Sequence, residues 1–550
     1  MTLPTPGADL ARDALSRVAR LADPGRTRRL HALRRLWRGV PEDGLASFWD
    51  TTVPLSERAP CVSASLPEGA GGRLVALVFG EGRFPTLSLR ARDPYGRAWP
   101  EGAAVLLDAL AVETIDAAKL RTAMPEGLTE GLKVGTLVLL AAIRRGRPCV
   151  EILPAEYCAA ERDADGEVTA LELRYRYPGQ VEGRDAHLWF RRRIDATADT
   201  TFRPVEARDD GHEPAWTPDE TRTAAHALGF CPVLWHRNRP DPGDLDTEDG
   251  RALFDGLEDE LHALDMSMSQ HHRAGRYNGD PQMWADDADE DDQGALRGDA
   301  GRAANAPLPG FSWFNSIVRG ASKPTGGAAL QRSPTKVWHI AKGSSLNLAE
   351  SSGAGAAILR EDTKQLRQAI LDARGIVMTT PGDLGANASA KLLREVHAAM
   401  VAVAGLYREE YGDLLCSLVD LLLRVALTVR SRGGGVYVAG LDAARDLLAQ
   451  GYVTIEGGER VWVGLPWSLA WGDYFEPTWS DVTAAVQAAS QALQAGVVTV
   501  DEARKLLAPV LGIDAASAAS AHLTGELAAR SEATRSMLTG LGAPGAPGAD

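Results

Sequence analysis

Two long helical runs joined by a short loop constrain this chain more than any other feature. Residues Ala354–Ala373 (AGAAILREDTKQLRQAILDA) carry apolar positions at helical spacing, and the helix they predict breaks at Gly375. The loop IVMTTPGDLGANA follows, with Pro381, Gly382 and Gly385. Asn387 or Ser389 then caps a second helical region predicted over Ala390–Ser431, in which Gly405 and Gly412 allow a bend or a close helix contact. The loop is too short for a domain linker and too apolar for surface decoration. An earlier helix is predicted from Thr247 or Glu248 to about Arg276, striped by Leu253, Leu257, Leu261, Leu264 and Met268 and stopped by Tyr277-Asn278-Gly279-Asp280-Pro281. At 1.5 Å per residue such a helix is roughly 40 Å long, more than most globular helices need. Apolar stripes of this length fit either a core within one subunit or a heterologous interface between subunits.

Around these helices the texture changes. Up to Gly39, Leu10, Leu15, Val18, Leu21, Leu30, Leu33 and Leu36 recur on one helical face, interrupted at Pro24-Gly25. The arginines that decorate it, Arg17 to Arg38, lack interleaved aromatic residues, so a solvated or subunit-facing surface is the plainer reading than a phosphate-contacting one. From Leu74 onward short β-rich runs stand between turn formers: LVALVFG, TLSLR, VEILPAEY, VTALELRYRY and DAHLWFRRRI. Ala103–Ala111 and Leu132–Ala142 read as helices between them. The predicted class is α+β with antiparallel pairing. Residues 337–350 resume as strands after an irregular stretch, and a C-terminal helix is predicted over Ser480–Ala495, ending at Gly496. Thr499 and Glu502 then have capping-box spacing. A final Ala-rich helix is expected over Ala515–Thr539, followed by a disordered tail, 541–550.

Composition narrows the chemistry. At 550 residues the chain holds about three or four domains' worth of sequence, and 45% hydrophobic residues exclude wholesale disorder. The most apolar stretch, Leu414–Val429, is interrupted by Asp420 and Arg424, so no membrane span is expected, and the N-terminus lacks the apolar core of a signal peptide. Five scattered cysteines without a C-x-x-C pair predict reduced thiols. The net charge of −15, from 74 acidic and 59 basic residues, does not suit a protein that grips DNA through a broad basic surface. It is compatible with handling nucleic acid without holding it.

No catalytic constellation emerges. No G-x-G-x-x-G or Walker loop follows a predicted strand. Cys231 and His236 lack a third and fourth metal ligand, so a packed strand edge is the better reading. The acidic run Asp286, Asp287, Asp289, Glu290, Asp291 and Asp292 lacks the EF-hand order and reads as a solvated loop. Neither Asp259 with His262 nor His271 with His272 completes a triad. The expectation is an assembly protein with no enzyme activity, no metal and no cofactor.

Several local patterns, in order, resemble the portal (head–tail connector) proteins of tailed double-stranded DNA bacteriophages. LVALVFGE at Leu74–Glu81 resembles an early element of that family, and Gly229-Phe230-Cys231-Pro232-Val233 resembles the Gly-x-x-Pro-Val element leading to Asn238-Arg239-Pro240. Leu257–Arg273, with His262-Ala263-Leu264-Asp265, Ser267 and Ser269, resembles the family's Asp-Ala-Leu-x-x-x-x-Ser helix. Asn387-Ala388-Ser389-Ala390-Lys391-Leu392 is similar to its Ser-Gly-x-Ala-Leu helix start, with Ala390 in place of Gly. The best single match is Leu469-Ala470-Trp471-Gly472-Asp473-Tyr474-Phe475-Glu476-Pro477, with Ser480, Asp481 and Ala495–Thr499 downstream. The ordered resemblance runs from about Arg34 to Leu507; Ala390 and the long acidic insertion are its departures.

That resemblance implies a portal-type α+β fold with long stem and wing helices, a β-containing wing and clip, and a helical C-terminal crown. Residues 1–250 would form the N-terminal part of the wing, 251–276 a stem helix, 277–353 the clip, 354–374 the second stem helix and 375–389 the tunnel loop. Residues 390–479 would complete the wing and 480–540 the crown. About twelve subunits would close a ring around a DNA channel at the capsid vertex of the virion. The implied partners are double-stranded DNA passing without sequence specificity, the major capsid protein, the terminase large subunit and a head–tail adaptor, with assembly in the bacterial cytoplasm and no membrane. A channel through which DNA slides cannot hold phosphate strongly. Arg360, Lys364 and Arg367 are therefore modest candidates on the second stem helix, facing either DNA or Glu361, Asp362 and Asp372 in subunit salt bridges. Thr379, Thr380, Pro381 and Asp383 are the tunnel-loop candidates, and Trp284, Asp286, Asp287 and Trp338 the clip docking candidates. Two alternatives stay open: another ring-forming head–tail component such as an adaptor, or the portal of a gene-transfer-agent-like particle.

Overall fold

The computed structural model describes residues 24–41, 44–50, 52–93, 96–207, 215–240, 248–278, 284–286, 338–340, 354–378, 390–454, 460–475, 479–499, 502–503 and 507. Its helices are α1 (Pro24–Arg38), α2 (Leu66–Phe79), α3 (Ala103–Ala117), α4 (Leu120–Val134), α5 (Glu258–Asn278), α6 (Ala354–Ala373), α7 (Ala390–Val396), α8 (Ala398–Ser431), α9 (Arg445–Leu448) and α10 (Trp479–Gln494). Strands β1 (Thr86–Leu89), β2 (Thr136–Arg144), β3 (Arg147–Leu153), β4 (Cys158–Arg162), β5 (Val168–Val181), β6 (Arg184–Asp195), β7 (Ala198–Thr201), β8 (Val205–Glu206), β9 (Ala224–Ala225) and β10 (Val233–Arg237) precede α5. Strands β11 (Trp284–Asp286) and β12 (Trp338–Ile340) lie between α5 and α6, and β13 (Tyr452–Thr454), β14 (Arg460–Trp462) and β15 (Trp467–Ala470) follow α9. The architecture is mixed α+β. Every described strand pair is antiparallel except β11–β12.

The chain divides into two compact units. The larger takes Met1–Ala22, Ala70–Arg251 and Gly375–Asp550; the smaller takes Asp23–Gly69 and Ala252–Arg374.

The core of the larger unit forms where α8 and α4 pack on β2, the central strand of the sheet β10–β2–β3. Residues 136–141 of β2 are buried without a break, because both faces of the strand are covered. On the other side of that contact Leu415, Leu418, Val419 and Leu422 of α8 are fully buried. Each such side chain contributes about 1.5–3 kcal/mol by leaving water. A second sheet, β4–β5–β6–β7–β9 with β8 on β6, is built on the long β5–β6 hairpin, paired from Ala170↔Asp195 to Val181↔Arg184.

Five expectations need correction here. The run Leu132–Ala142 is not one helix: Gly135, at φ +81°, caps α4 in a left-handed conformation and hands the chain to β2. The run LVALVFG is helix, because Leu66, Ala70, Leu74 and Val78 recur at intervals of four and are all buried. The helix expected from Thr247 or Glu248 starts only at Glu258. Gly250 is wedged so closely that a Cβ would overlap the backbone N and O of Asn238 and the carbonyl of Gly135, which holds this stretch as a loop. The helical region Ala390–Ser431 is two helices broken by a turn at His397, not at either glycine. Strand β3 also ends at Leu153, with a 3-10 turn over Ala155–Tyr157. Helix α6 has the predicted bounds, and α10 is displaced by one residue.

In the smaller unit α5 and α6 pack along each other. The segment leading into α2 docks on α5 through backbone bonds: the amides of Cys61 and Val62 donate to Ser269 Oγ at 2.9 and 3.0 Å, and that of Ala64 donates to Asp265 Oδ1 at 2.8 Å. Leu30, Leu33 and Trp37 are the buried stripe of α1. Residues 1–23 and the expected C-terminal helix over Ala515–Thr539 lie outside the described residues.

Candidate functional site

Helix α6 presents two stripes. Leu359, Thr363, Leu366 and Ile370 recur at i, i+4, i+7 and i+11, and Ile370 is 1% exposed. Thr363 joins α6 to α5 through a hydroxyl pair, its Oγ1 lying 2.8 Å from Ser267 Oγ while its proton reaches the Leu359 carbonyl. One residue on, about 100° around the helix, Arg360, Lys364 and Arg367 form an exposed basic ridge. Among the described residues no ion pair holds any of the three. Two of their three expected acidic partners are engaged otherwise: Glu361 accepts from Gln365 Nε2 at 3.2 Å, and Asp372 accepts from Gln368 Nε2 at 2.7 Å; Asp362, the third, is exposed and forms no ion pair with them. The ridge is thus a row of solvated cations, and side-chain amides engage two of the three carboxylates that flank it. Such a row supplies long-range attraction for a polyanion without built pockets for individual phosphates.

The clip candidates divide. Trp284 and Asp286 lie in β11 and Trp338 in β12; the two strands run parallel with Trp284 opposite Trp338 and Asp286 opposite Ile340. Asp287, the rest of the acidic run, and the tunnel-loop candidates Thr379, Thr380, Pro381 and Asp383 lie outside the described residues.

The described part of the best-matching segment, residues 469–475, packs against α8. The Arg408 guanidinium on α8 sits 3.7 Å from the Tyr474 ring and 5.1 Å from the Trp471 ring, and donates to the Gly472 carbonyl at 2.8 Å. Gly412, one turn further along α8, leaves room for Leu469 and Trp471. Asn238 is equally structural: fully buried, it accepts the Tyr411 hydroxyl at 2.9 Å, donates its amide to the Gly135 carbonyl and accepts from Arg251. Cys231 and His236 behave as strand-edge residues. Burial pushes the Cys231 thiol up to about 12 and the His236 imidazole down to about 4, and His236 packs edge-on against Tyr411. Among the described residues no three His, Cys, Asp or Glu side chains gather to hold a metal ion, and no helix is long and apolar enough to cross a membrane.

Neither a protein-family model nor a curated protein matches this chain.

Sequence reasoning missed one constellation. On one face of the β5–β6 hairpin, guanidinium and aromatic groups alternate: Arg176 and Arg174 lie 4.4 and 4.5 Å from the Trp189 ring, and Arg174 and Arg191 lie 5.4 and 5.2 Å from Trp216. Arg191 also pairs with buried Glu172 at 2.8 Å. The next two arginines are locked differently, Arg192 by Asp199 and Glu151 and Arg193 by Glu161. The opposite face carries Tyr157, Tyr175, Tyr177 and Phe190 in mutual ring contact. The signal was the period-two alternation Arg174-Tyr175-Arg176-Tyr177 facing Trp189-Phe190-Arg191. Its ion pairs and stacked rings stiffen a long ribbon.

Proposed function

We propose that this chain is a portal protein: a subunit of a ring, about twelve-fold, through which double-stranded DNA passes during packaging and ejection at a capsid vertex. The observation that carries the reading is the packed helix pair α5/α6. Its helices leave and rejoin the larger unit in sequence at residues 251/252 and 374/375, and α6 bears the solvated ridge Arg360, Lys364 and Arg367. Three exposed cations in a chain of net charge −15 attract DNA weakly, which suits a conduit better than a clamp. In this reading α5 and α6 are the stem, the larger unit supplies wing and crown, and residues 279–353 supply the clip that meets the terminase and the head–tail adaptor. No step of bond chemistry is required of the chain, and no cofactor.

Native mass spectrometry and negative-stain class averages of the purified protein test this directly. The expected result is a closed ring of about twelve subunits with a central hole and a stemmed side view. Monomers or dimers at every concentration and salt, with and without capsid protein, overturn it. A ring without a through-channel does so as well.

A further inference from the structure

A cavity of about 500 Å³ opens in the larger unit between the end of β2, the edge formed by β7 and β9, helix α8 and the loop after it. Leu140, Ile143, Ile194, Leu228, Val425 and Val429 supply its aliphatic wall. The volume lies within the range of small-molecule sites, about 300–1,000 Å³.

Four charged or titratable side chains also line it: Arg144, Asp199, His226 and Arg432. Asp199 is committed, since Oδ1 and Oδ2 accept from Arg192 Nε and Nη2 at 2.8 and 2.7 Å. The remaining three are donors. Arg432 donates to the carbonyls of His226 and Ala227 at the rim, and Arg144 pairs with Glu151. His226 is different. Its Nδ1 accepts the Leu228 amide at 3.3 Å, and burial lowers its pKa below the ordinary imidazole value, so the neutral ring carries its proton on Nε2. That Nε2–H is buried with no hydrogen-bond partner among the described residues. A buried donor without an acceptor is unfavourable until something supplies one.

We propose that this cavity binds a small apolar monocarboxylate, its hydrocarbon body against the aliphatic wall and its carboxylate accepting from His226 Nε2–H beside the Arg432 guanidinium. With Asp199 taken up by Arg192, the remaining charged or titratable side chains of the lining are donors, which selects an anion over a cation, and the single buried donor selects one carboxylate over a polyanion. The ring reading above is not needed for it.

Isothermal titration of octanoate into the full-length protein, with octanamide as the uncharged control, tests the site. Saturable binding at one site per subunit is expected, with octanamide about tenfold weaker. His226→Leu removes the donor and keeps the wall apolar; it should weaken octanoate about tenfold while leaving octanamide less affected. Ala224 lies opposite Asp199 in register, so it shares the face that lines the cavity, and it is exposed. Ala224→Trp should therefore fill the cavity without disturbing the core and abolish binding. Should His226→Leu fail to melt cooperatively, exposed Arg432→Gln replaces it, with a severalfold loss expected. The absence of saturable octanoate binding at low-millimolar concentration overturns the proposal. So does binding that survives Ala224→Trp unchanged, because the ligand then sits elsewhere.

Discussion

Asp420, buried, and His236, half-buried, both in the larger unit, drive stability in opposite directions with pH. Asp420 accepts the Trp467 indole N–H at 2.8 Å and the Leu465 amide at 3.1 Å, yet burial outweighs both bonds and pushes its carboxyl up to about 7 from 3.8. Between about pH 4 and 7 the folded chain therefore holds a proton that the unfolded chain has released, and stability falls as pH rises through that window. His236, lowered to about 4 from 6.5 by burial, does the reverse: the unfolded chain takes up a proton that the folded chain refuses, so stability falls as pH drops from 6.5 to 4. Each slope approaches about 1.4 kcal/mol per pH unit within its window. Asp420→Asn should make the melting temperature fall more steeply on acidification than in the wild type, and His236→Gln should flatten that fall; calorimetry across pH 4–7 reads both, and parallel profiles for all three proteins would refute the assignment. Ser269 acts without titrating. Its hydroxyl receives the amides of Cys61 and Val62, both only partly shielded from water, so Ser269→Ala removes their shared acceptor and should cost about 1 kcal/mol in urea unfolding.

At the scale of elements, junctions matter more than interiors. Gly250→Ala would drive a methyl group into backbone on two sides, at Asn238 and Gly135, where no side chain can move aside. We expect a loss of about 3 kcal/mol or more by chemical denaturation, against a gain of up to about 1 kcal/mol for an alanine at Gly275, exposed and unobstructed within α5. The same junctions divide what could be read from residues alone. Helix α6 was legible because its stripe is regular and a left-handed glycine, Gly375, follows it. The Thr499–Glu502 capping box was also legible, and its reciprocal bonds form at 2.8 and 3.3 Å. The run Leu132–Ala142 was not. A strand covered on both faces loses its period-two signature and looks like buried helix. Nor was the break at His397, which carries no proline or glycine. Among the site residues, the spacing of Arg360, Lys364 and Arg367 was visible, but the glutamines that engage Glu361 and Asp372 were not, since i,i+4 amide–carboxylate pairs compete with ion pairs on equal geometric terms.

For the whole molecule, the ridge on α6 separates binding from folding. Replacing Arg360, Lys364 and Arg367 together with glutamine should leave the melting curve within about 0.5 kcal/mol, since all three are exposed. On duplex DNA the same variant should lower the salt slope by at most about 0.9 for each phosphate it ceases to neutralise, read by fluorescence anisotropy across a salt series. An unchanged slope would remove the ridge from any DNA path. The division of the chain has a consequence in time as well. The smaller unit joins residues 23–69 to 252–374, so its first piece leaves the ribosome well before Asp265 and Ser269, to which its backbone will bond. At about 5–20 residues per second, the intervening stretch takes roughly 10–40 seconds to synthesise. During that interval the amides of Cys61, Val62 and Ala64 are left to water. Nascent chains of this protein therefore carry the first piece of the smaller unit before the Asp265 and Ser269 acceptors of its backbone amides exist.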